Sequence, residues 1–239
     1  VSKIESGQMA VEAKTFCPLD LFEDCVRSYC AAAGNKGLKI FACADAQLPP
    51  LLRGDAVRIR QIINNLLSNA IKFTDTGWVV FRLKVIGIEQ GQATLQWQVS
   101  DTGVGISEEQ LTRLFKPFSQ VGGSERAGGA GLGLSICAGL SEMMGANLRV
   151  VSEPGLGSSF SLHMSLPVIA GALDNCADID LQGVSVYVRA ARNDIGQILA
   201  DWLNRWGASA QVLPAAALPD NPAILLDLAH RRFFFFMIE

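Results

Sequence analysis

Apolar positions along this chain recur at two spacings, and the switches between them mark out its elements. From Phe16 to Ala33 they fall at helical intervals (Phe16, Leu19, Phe22, Val26, Tyr29), and the rhythm stops at Gly34. Leu38 to Ala44 reads as a strand. Leu48-Pro49-Pro50 is a connector, and Asp55 is placed as the N-cap of a helix from Ala56 to about Phe73. Trp78 to Ile86 and Ala93 to Val99 alternate in strand fashion, bounded by the turn sequences Asp75-Thr76-Gly77 and Glu89-Gln90-Gly91. A short helix follows at Glu108 to Leu114, then a polar, glycine-rich stretch from Ser119 to Ala130 and a helix from Gly131 to Met144. Asn147 to Val151 and Ser158 to Leu166 are two strands around the Glu153-Pro154-Gly155 turn.

The pattern then weakens. Val168 to Asp180 suits a linker, after which a second unit begins: strand Val184–Val188, helix Ile195–Trp206, and strands Ala210–Leu213 and Ala223–Leu226. This is the βαβ rhythm of a small α/β fold, and about 60 residues are too few to complete a doubly wound domain. Val1 to about Met9 reads as the last turns of a helix already under way, so the chain is expected to be a piece of a longer protein. The division expected is residues 1–14, 15–168, a linker at 169–182 and the second unit at 183–239.

Composition narrows the partners. Of the 239 residues, 49% are hydrophobic and 18% charged, which describes a well-buried globular protein. The 20 basic and 23 acidic residues leave a net charge of −3, no field to attract nucleic acid. The greasy run Phe233 to Ile238 falls well short of the roughly 18–20 apolar residues of a membrane helix. Six scattered cysteines (Cys17, Cys25, Cys30, Cys43, Cys137, Cys176), with no Cys-x-x-Cys pair, read as reduced core thiols.

Candidate chemistry sits in four short blocks: Asn65 to Phe73, Asp101-Thr102-Gly103-Val104-Gly105-Ile106, Phe115-Lys116-Pro117-Phe118, and Gly129-Ala130-Gly131-Leu132-Gly133-Leu134. Asn65 and Asn69 are four apart on the predicted helix and share a face, with Lys72 three residues further on. Two carboxamide oxygens can help complete a Mg²⁺ shell that also holds phosphate oxygens, and the lysine can neutralise phosphate charge. Solvated helix polars are the plain alternative. Asp101 ends an alternating strand, where a carboxylate can accept from an exocyclic amine, and Gly103 and Gly105 let backbone approach a flat base. A turn capped by the aspartate is the competing reading. Gly129, Gly131 and Gly133 lead into a helix whose N–H groups and positive end suit a phosphate. Their spacing matches neither the dinucleotide G-x-G-x-x-G pattern nor the P-loop. Arg126, in the stretch before them, is a candidate phosphate contact.

In this order and at these separations the blocks resemble the N, G1, F and G2 boxes of the catalytic ATP-binding domain of sensor histidine kinases. The resemblance covers roughly Phe16 to Pro167, and Val1 to Gly7 is similar to the end of the preceding dimerisation helix pair. It implies a two-layer α/β sandwich of the histidine-kinase and gyrase type, with ATP and Mg²⁺ held between helices under a lid. By matching position, Asn69 becomes the main Mg²⁺ ligand with Asn65 beside it, Lys72 a phosphate contact and Asp101 the acceptor for the adenine amine. Gly131, Leu132 and Gly133 lie along the phosphates, and Phe115 and Phe118 anchor the lid. Ala130 stands where many relatives carry Thr or Ser. A phospho-accepting histidine is missing: His163 lies in a predicted strand and His230 in the second unit. The implied partners are a histidine-bearing dimerisation domain of the same parent, a receiver domain or response regulator, and a second copy in a full-length homodimer. The implied location is cytoplasmic, with a parent anchored at the inner membrane.

The same fold serves ATPases such as gyrase and MutL, which resemble each other in a glutamate four residues before the Mg²⁺ asparagine. Here that position is Asn65, which cannot act as general base on water. Transfer to an external imidazole is therefore favoured over hydrolysis, and a degenerate nucleotide-binding scaffold is the non-enzymatic alternative. The second unit resembles the opening of a receiver domain. Arg189 to Asp194 follows its first strand, however, where receivers carry acids, so a spacer that is not phosphorylated is expected.

Overall fold

The computed structural model describes residues 10–117, 131–170, 181–190, 193–214 and 224–227. Expectations at Val1–Met9, Phe118, Arg126, Gly129, Ala130, Cys176 and His230 lie outside the described residues. A strand, β1 (Lys14–Phe16), leads to helix α1 (Pro18–Asn35), strand β2 (Lys39–Ala44), strand β3 (Leu52–Gly54) and helix α2 (Ala56–Phe73). Then come β4 (Trp78–Glu89), β5 (Gln92–Asp101), α3 (Glu108–Leu111), α4 (Gly133–Met143), β6 (Asn147–Glu153) and β7 (Gly157–Pro167). The second unit holds β8 (Ser185–Arg189), α5 (Asn193–Arg205), β9 (Ser209–Leu213) and β10 (Ile224–Asp227).

Five strands form one mixed sheet in the order β2-β4-β5-β7-β6. Strand β2 pairs parallel to β4, and the remaining neighbours are antiparallel. Strict alternation decides why helices cover one face only. On β5, Ala93, Leu95, Trp97, Val99 and Asp101 are buried, whereas Thr94, Gln96, Gln98 and Ser100 are not. The buried set packs with Ile59, Ile62, Ile63, Leu66 and Leu67 of α2, Leu21 and Phe22 of α1, and Cys137 and Leu140 of α4. Phe22 stacks on Phe81 at 4.4 Å between ring centres, and Phe81 lies 6.3 Å from Trp97. Burial pushes the thiols of Cys25 and Cys137 up, to about 11 and about 12, so both are inert core groups. The other face is a hydrogen-bonded polar ladder, with Thr94 to Ser165 at 2.6 Å and Ser100 to Ser159 at 2.8 Å.

Several boundaries differ from the expectations. Phe16 belongs to β1, not to the first helix, which starts at Pro18 because proline is favoured at a first helical position. That helix runs through Gly34 to Asn35. Strand β3 was not expected; it pairs with β1, Leu52 opposite Phe16. The helix expected over Glu108 to Leu114 stops at Leu111, and both strands of the β4–β5 hairpin run longer than their alternation indicated. Val168, expected in the linker, bridges to Leu52, and the Ile169 N–H donates to the Leu51 carbonyl.

In the second unit β8 lies between β9 and β10, all parallel, which is the order in which a doubly wound sheet begins. Its core is Val186, Val188, Leu199, Ala200, Leu203 and the Trp202–Trp206 pair.

Candidate functional site: a nucleotide pocket

The site is assembled on α2. Asp55 caps that helix, its Oδ1 accepting the Arg58 N–H at 3.0 Å, so the register of everything downstream is set by a bond at its first turn. Ile59, Ile62, Ile63, Leu66, Leu67 and Ala70 face the core, which leaves Asn65 and Asn69 half-buried at the border of the apolar stripe. One turn apart, they bond to each other: Asn69 Nδ2 donates to Asn65 Oδ1 at 3.0 Å. Lys72 is exposed in the last turn, its Nζ 5.1 Å from the centre of the Phe73 ring.

Helix α4 meets α2 at this pair. Its first residue is Gly133, and a Cβ there would overlap the Asn65 carboxamide, so glycine is what lets α4 approach without displacing Asn65. Leu132 occupies the N-cap and gives no side-chain cap, so it leaves first-turn N–H groups of α4 for another acceptor. Gly131 precedes it with φ of 65°.

The C-terminal end of α2 meets the turn that follows β5. Val104 donates its N–H to the Phe73 carbonyl at 3.3 Å. Asp101, 9% exposed, directs Oδ1 at two backbone donors, the N–H of Gly103 at 2.8 Å and that of Ser158 at 3.3 Å. Burial raises the Asp101 carboxyl above its ordinary range, and the two N–H bonds pull the other way. Gly105 (φ 70°) passes against the Glu153 carbonyl, locking the turn to the β6–β7 hairpin. Ile106 adds a bond from its N–H to Ser152 Oγ at 2.8 Å. Phe115 is half-buried and packs against the main core.

The structure thus joins Asn65, Asn69 and Gly133 in one contact and Asp101 and Gly103 in another, with α2 connecting them. Two contributors were missed from sequence: Ser158, which holds the carboxylate of Asp101, and Ser152, which holds the turn beyond it. The turn glycine at 157, just before Ser158, was the available signal. His163 lies on β7 in the polar face of the sheet, away from this site.

A five-stranded mixed sheet under three helices, with a glycine turn entering the third, defines an ATP-binding domain. Residues 54–168 match the family described as histidine kinase-, DNA gyrase B- and HSP90-like ATPase. The chain's curated relatives include sensor histidine kinases, which places these residues with their ATP-binding catalytic domain. It is 41% identical over 167 residues to the sensor histidine kinase RcsC of Escherichia coli (strain K12), covering 69% of this chain and 17% of that protein. It is 38% identical over 189 residues to the sensor protein GacS of Pseudomonas syringae pv. syringae, covering 78% of this chain and 21% of that protein. The crystal structure of full-length ShkA in complex with AMPPNP superimposes with a TM-score of 0.71 at 25% identity, over 94% of this chain and 47% of ShkA. The catalytic domain of histidine kinase ThkA shares the fold, with a TM-score of 0.50 at 21% identity over 66% of this chain and 96% of ThkA. The chain therefore spans about a fifth or less of these curated relatives. Among the described residues no helix is long and apolar enough to cross a membrane.

Proposed function

We propose that residues 15–168 bind ATP with Mg²⁺ and transfer its γ-phosphoryl group to a histidine on a dimerisation domain of the parent protein. The observation that carries this reading is Asn65. It sits where a hydrolase of this fold would place its general base, it is wedged against Gly133, and its oxygen already accepts from Asn69. A carboxamide cannot take a proton from water, so the site favours an external nucleophile and leaves catalysis to positioning and charge.

The donor set fits the ligands. Oxygen donors from Asn69 and Asn65 suit a hard divalent ion that keeps phosphate and water in its shell. Bound there, Mg²⁺ would offset the charge on the phosphates. The backbone N–H groups at Gly131, Leu132 and Gly133 suit the phosphates themselves, with Lys72 adding a cation. Asp101 has an Oδ2 to receive the adenine amine while its Oδ1 is tied to Gly103 and Ser158. Phe115, half-buried against the main core, suits an anchoring role beside the nucleotide.

Asp101 makes the affinity pH-dependent. Accepting from an amine requires the ionised form, and its carboxyl is raised, so the ionised fraction begins to fall at higher pH than for an ordinary aspartate. Adenine-nucleotide affinity is expected to decline as pH drops through that raised value, by up to about tenfold per unit below it, and to be flat above it. The stability of the ligand-free fold moves oppositely. A carboxyl raised in the folded state contributes stability below its unfolded pKa and loses it as pH rises through the folded one. Titrating nucleotide affinity between pH 4 and 8 (roughly the window around an aspartate's range) checks this, and Asp101→Asn should abolish the slope.

The partners follow from the reading: the histidine-bearing domain, a second copy through it, and a receiver domain or response regulator that takes the phosphoryl group onward. The second unit, at 183–239, is read as receiver-like but not phosphorylated, because Arg189 stands in register with Asp227 at the strand ends where a metal-assisted acceptor needs acids. The test is to mix the chain with a separate histidine-bearing dimerisation domain and γ-labelled ATP. Acid-labile, base-stable label on that domain is the expected result. Steady ADP release with no acceptor present would instead return the ATPase reading.

A further inference from the structure

The second unit rests on the ATP-binding domain through apolar packing and through hydrogen bonds made to backbone carbonyls. Trp202 of α5 donates its Nε1–H to the Ala44 carbonyl at 2.9 Å. One turn on, Arg205 donates from Nη1 to the carbonyls of Ala46 and, at 3.1 Å, Leu48. Its guanidinium lies 5.3 Å from the centre of the Trp202 ring, so the two side chains form one tool. Leu19, Ala44 and Ala46 of the ATP-binding domain pack into the same apolar cluster as Val186, Leu199 and Trp206. Trp202 is only 7% exposed.

What the pair grips is the end of β2 at Ala44 and the short strap that follows it, residues 45–51, leading to β3. Asp45 stitches this strap to the main sheet: its N–H donates to the Leu83 carbonyl at 2.9 Å and its Oδ2 accepts the Val85 N–H at 3.1 Å. At its far end β3 holds both the incoming strand, through Phe16 opposite Leu52, and the outgoing chain, through the Leu52–Val168 bridge. Asp55 then caps α2 with one carboxylate oxygen and receives the Glu12 N–H on the other at 3.0 Å. One continuous run of backbone therefore meets the second unit, the incoming chain and the helix that carries Asn65 and Asn69.

We propose that the second unit is a docked restraint on the ATP-binding domain, latched by Trp202 and Arg205, and that its docking holds the strap and the incoming strand in place. Whatever lifts α5 from the strap loosens the point where the upstream chain joins, without touching the nucleotide pocket. Arginine and tryptophan are the residues that carry most energy at protein contacts, and hydrogen bonds from a charged guanidinium are the stronger kind. This inference stands whether or not the chain is a kinase.

Amide hydrogen exchange on the whole chain tests it. The double variant Trp202→Phe with Arg205→Met keeps an aromatic in the second core and removes the donors. Exchange at Asp45, Gln47, Leu48 and Glu12 should accelerate about tenfold or more, while Leu66, Leu67 and the amides of α5 keep their protection. Leu19→Asp attacks the same contact from the ATP-binding domain and replaces no residue of the second unit. It should give the same pattern. If the strap amides exchange at the wild-type rate in Leu19→Asp and in the single variant Arg205→Met, the latch does not exist.

Discussion

Replacing Asn69 by alanine is expected to reduce phosphotransfer to a separate histidine-bearing domain by about 10²–10³-fold, the usual cost of removing one preorganised group from a charge-stabilising site. Its effect on folding should be negligible. The side chain is half-buried at the rim of α2, its one bond runs to Asn65, and alanine is the better helix former. A loss of activity at unchanged melting temperature would therefore be a loss at the site. The Mg²⁺ dependence gives the finer reading. If Asn69 is the principal ligand, the concentration needed for half-maximal rate should rise in the variant and nucleotide affinity measured without the metal should not. Transfer at the wild-type rate, or an equal fall in affinity with and without Mg²⁺, would remove Asn69 from the metal and leave it a helix polar.

The contrast between what could and could not be read in advance follows the range of the interactions. Helix α2 was legible to the residue because its signals are local: Asp55 caps it, its apolar stripe repeats at helical spacing, and Thr74 ends it in extended backbone. The β4–β5 and β6–β7 hairpins were legible for the same reason, as alternation bounded by turn glycines. Strand β3 was not, since three residues after a proline pair hold no period, and only Phe16, far back in the chain, makes them a strand. The apolar Phe16 fitted the rhythm of the following helix equally well, so its real partner was hidden. Asn65 and Asn69 were readable as a pair sharing a face, whereas the hydrogen bond between them and the fit of Gly133 against Asn65 depend on how α2 and α4 pack. The docking of α5 left no trace at all, because its acceptors are the carbonyls of Ala44, Ala46 and Leu48, which any sequence would offer.

The contact between Gly133 and Asn65 leads to the second large effect. In Gly133→Ala the new methyl would occupy the space of the Asn65 carboxamide, and the cheapest escape is rotation of Asn65. That rotation breaks the bond from Asn69 and displaces the pair of carboxamides proposed to hold the metal. A misplacement of about 1 Å at such a site can cost about 10²-fold, and a loss of that order in Mg²⁺-dependent ATP affinity is expected. Stability should move little, since alanine in a first turn recovers up to about 1 kcal/mol of backbone entropy against the local crowding. The cause can be isolated with a double-mutant cycle. Asn65→Ala empties the space that the methyl needs, so adding Gly133→Ala on that background should cost almost nothing further. A coupling of about 1 kcal/mol or more between the two positions is the expected signature of direct contact. If the two losses simply add, the methyl acts elsewhere, by crowding the phosphates at the N–H groups of α4, and Asn65 is not what glycine at 133 protects.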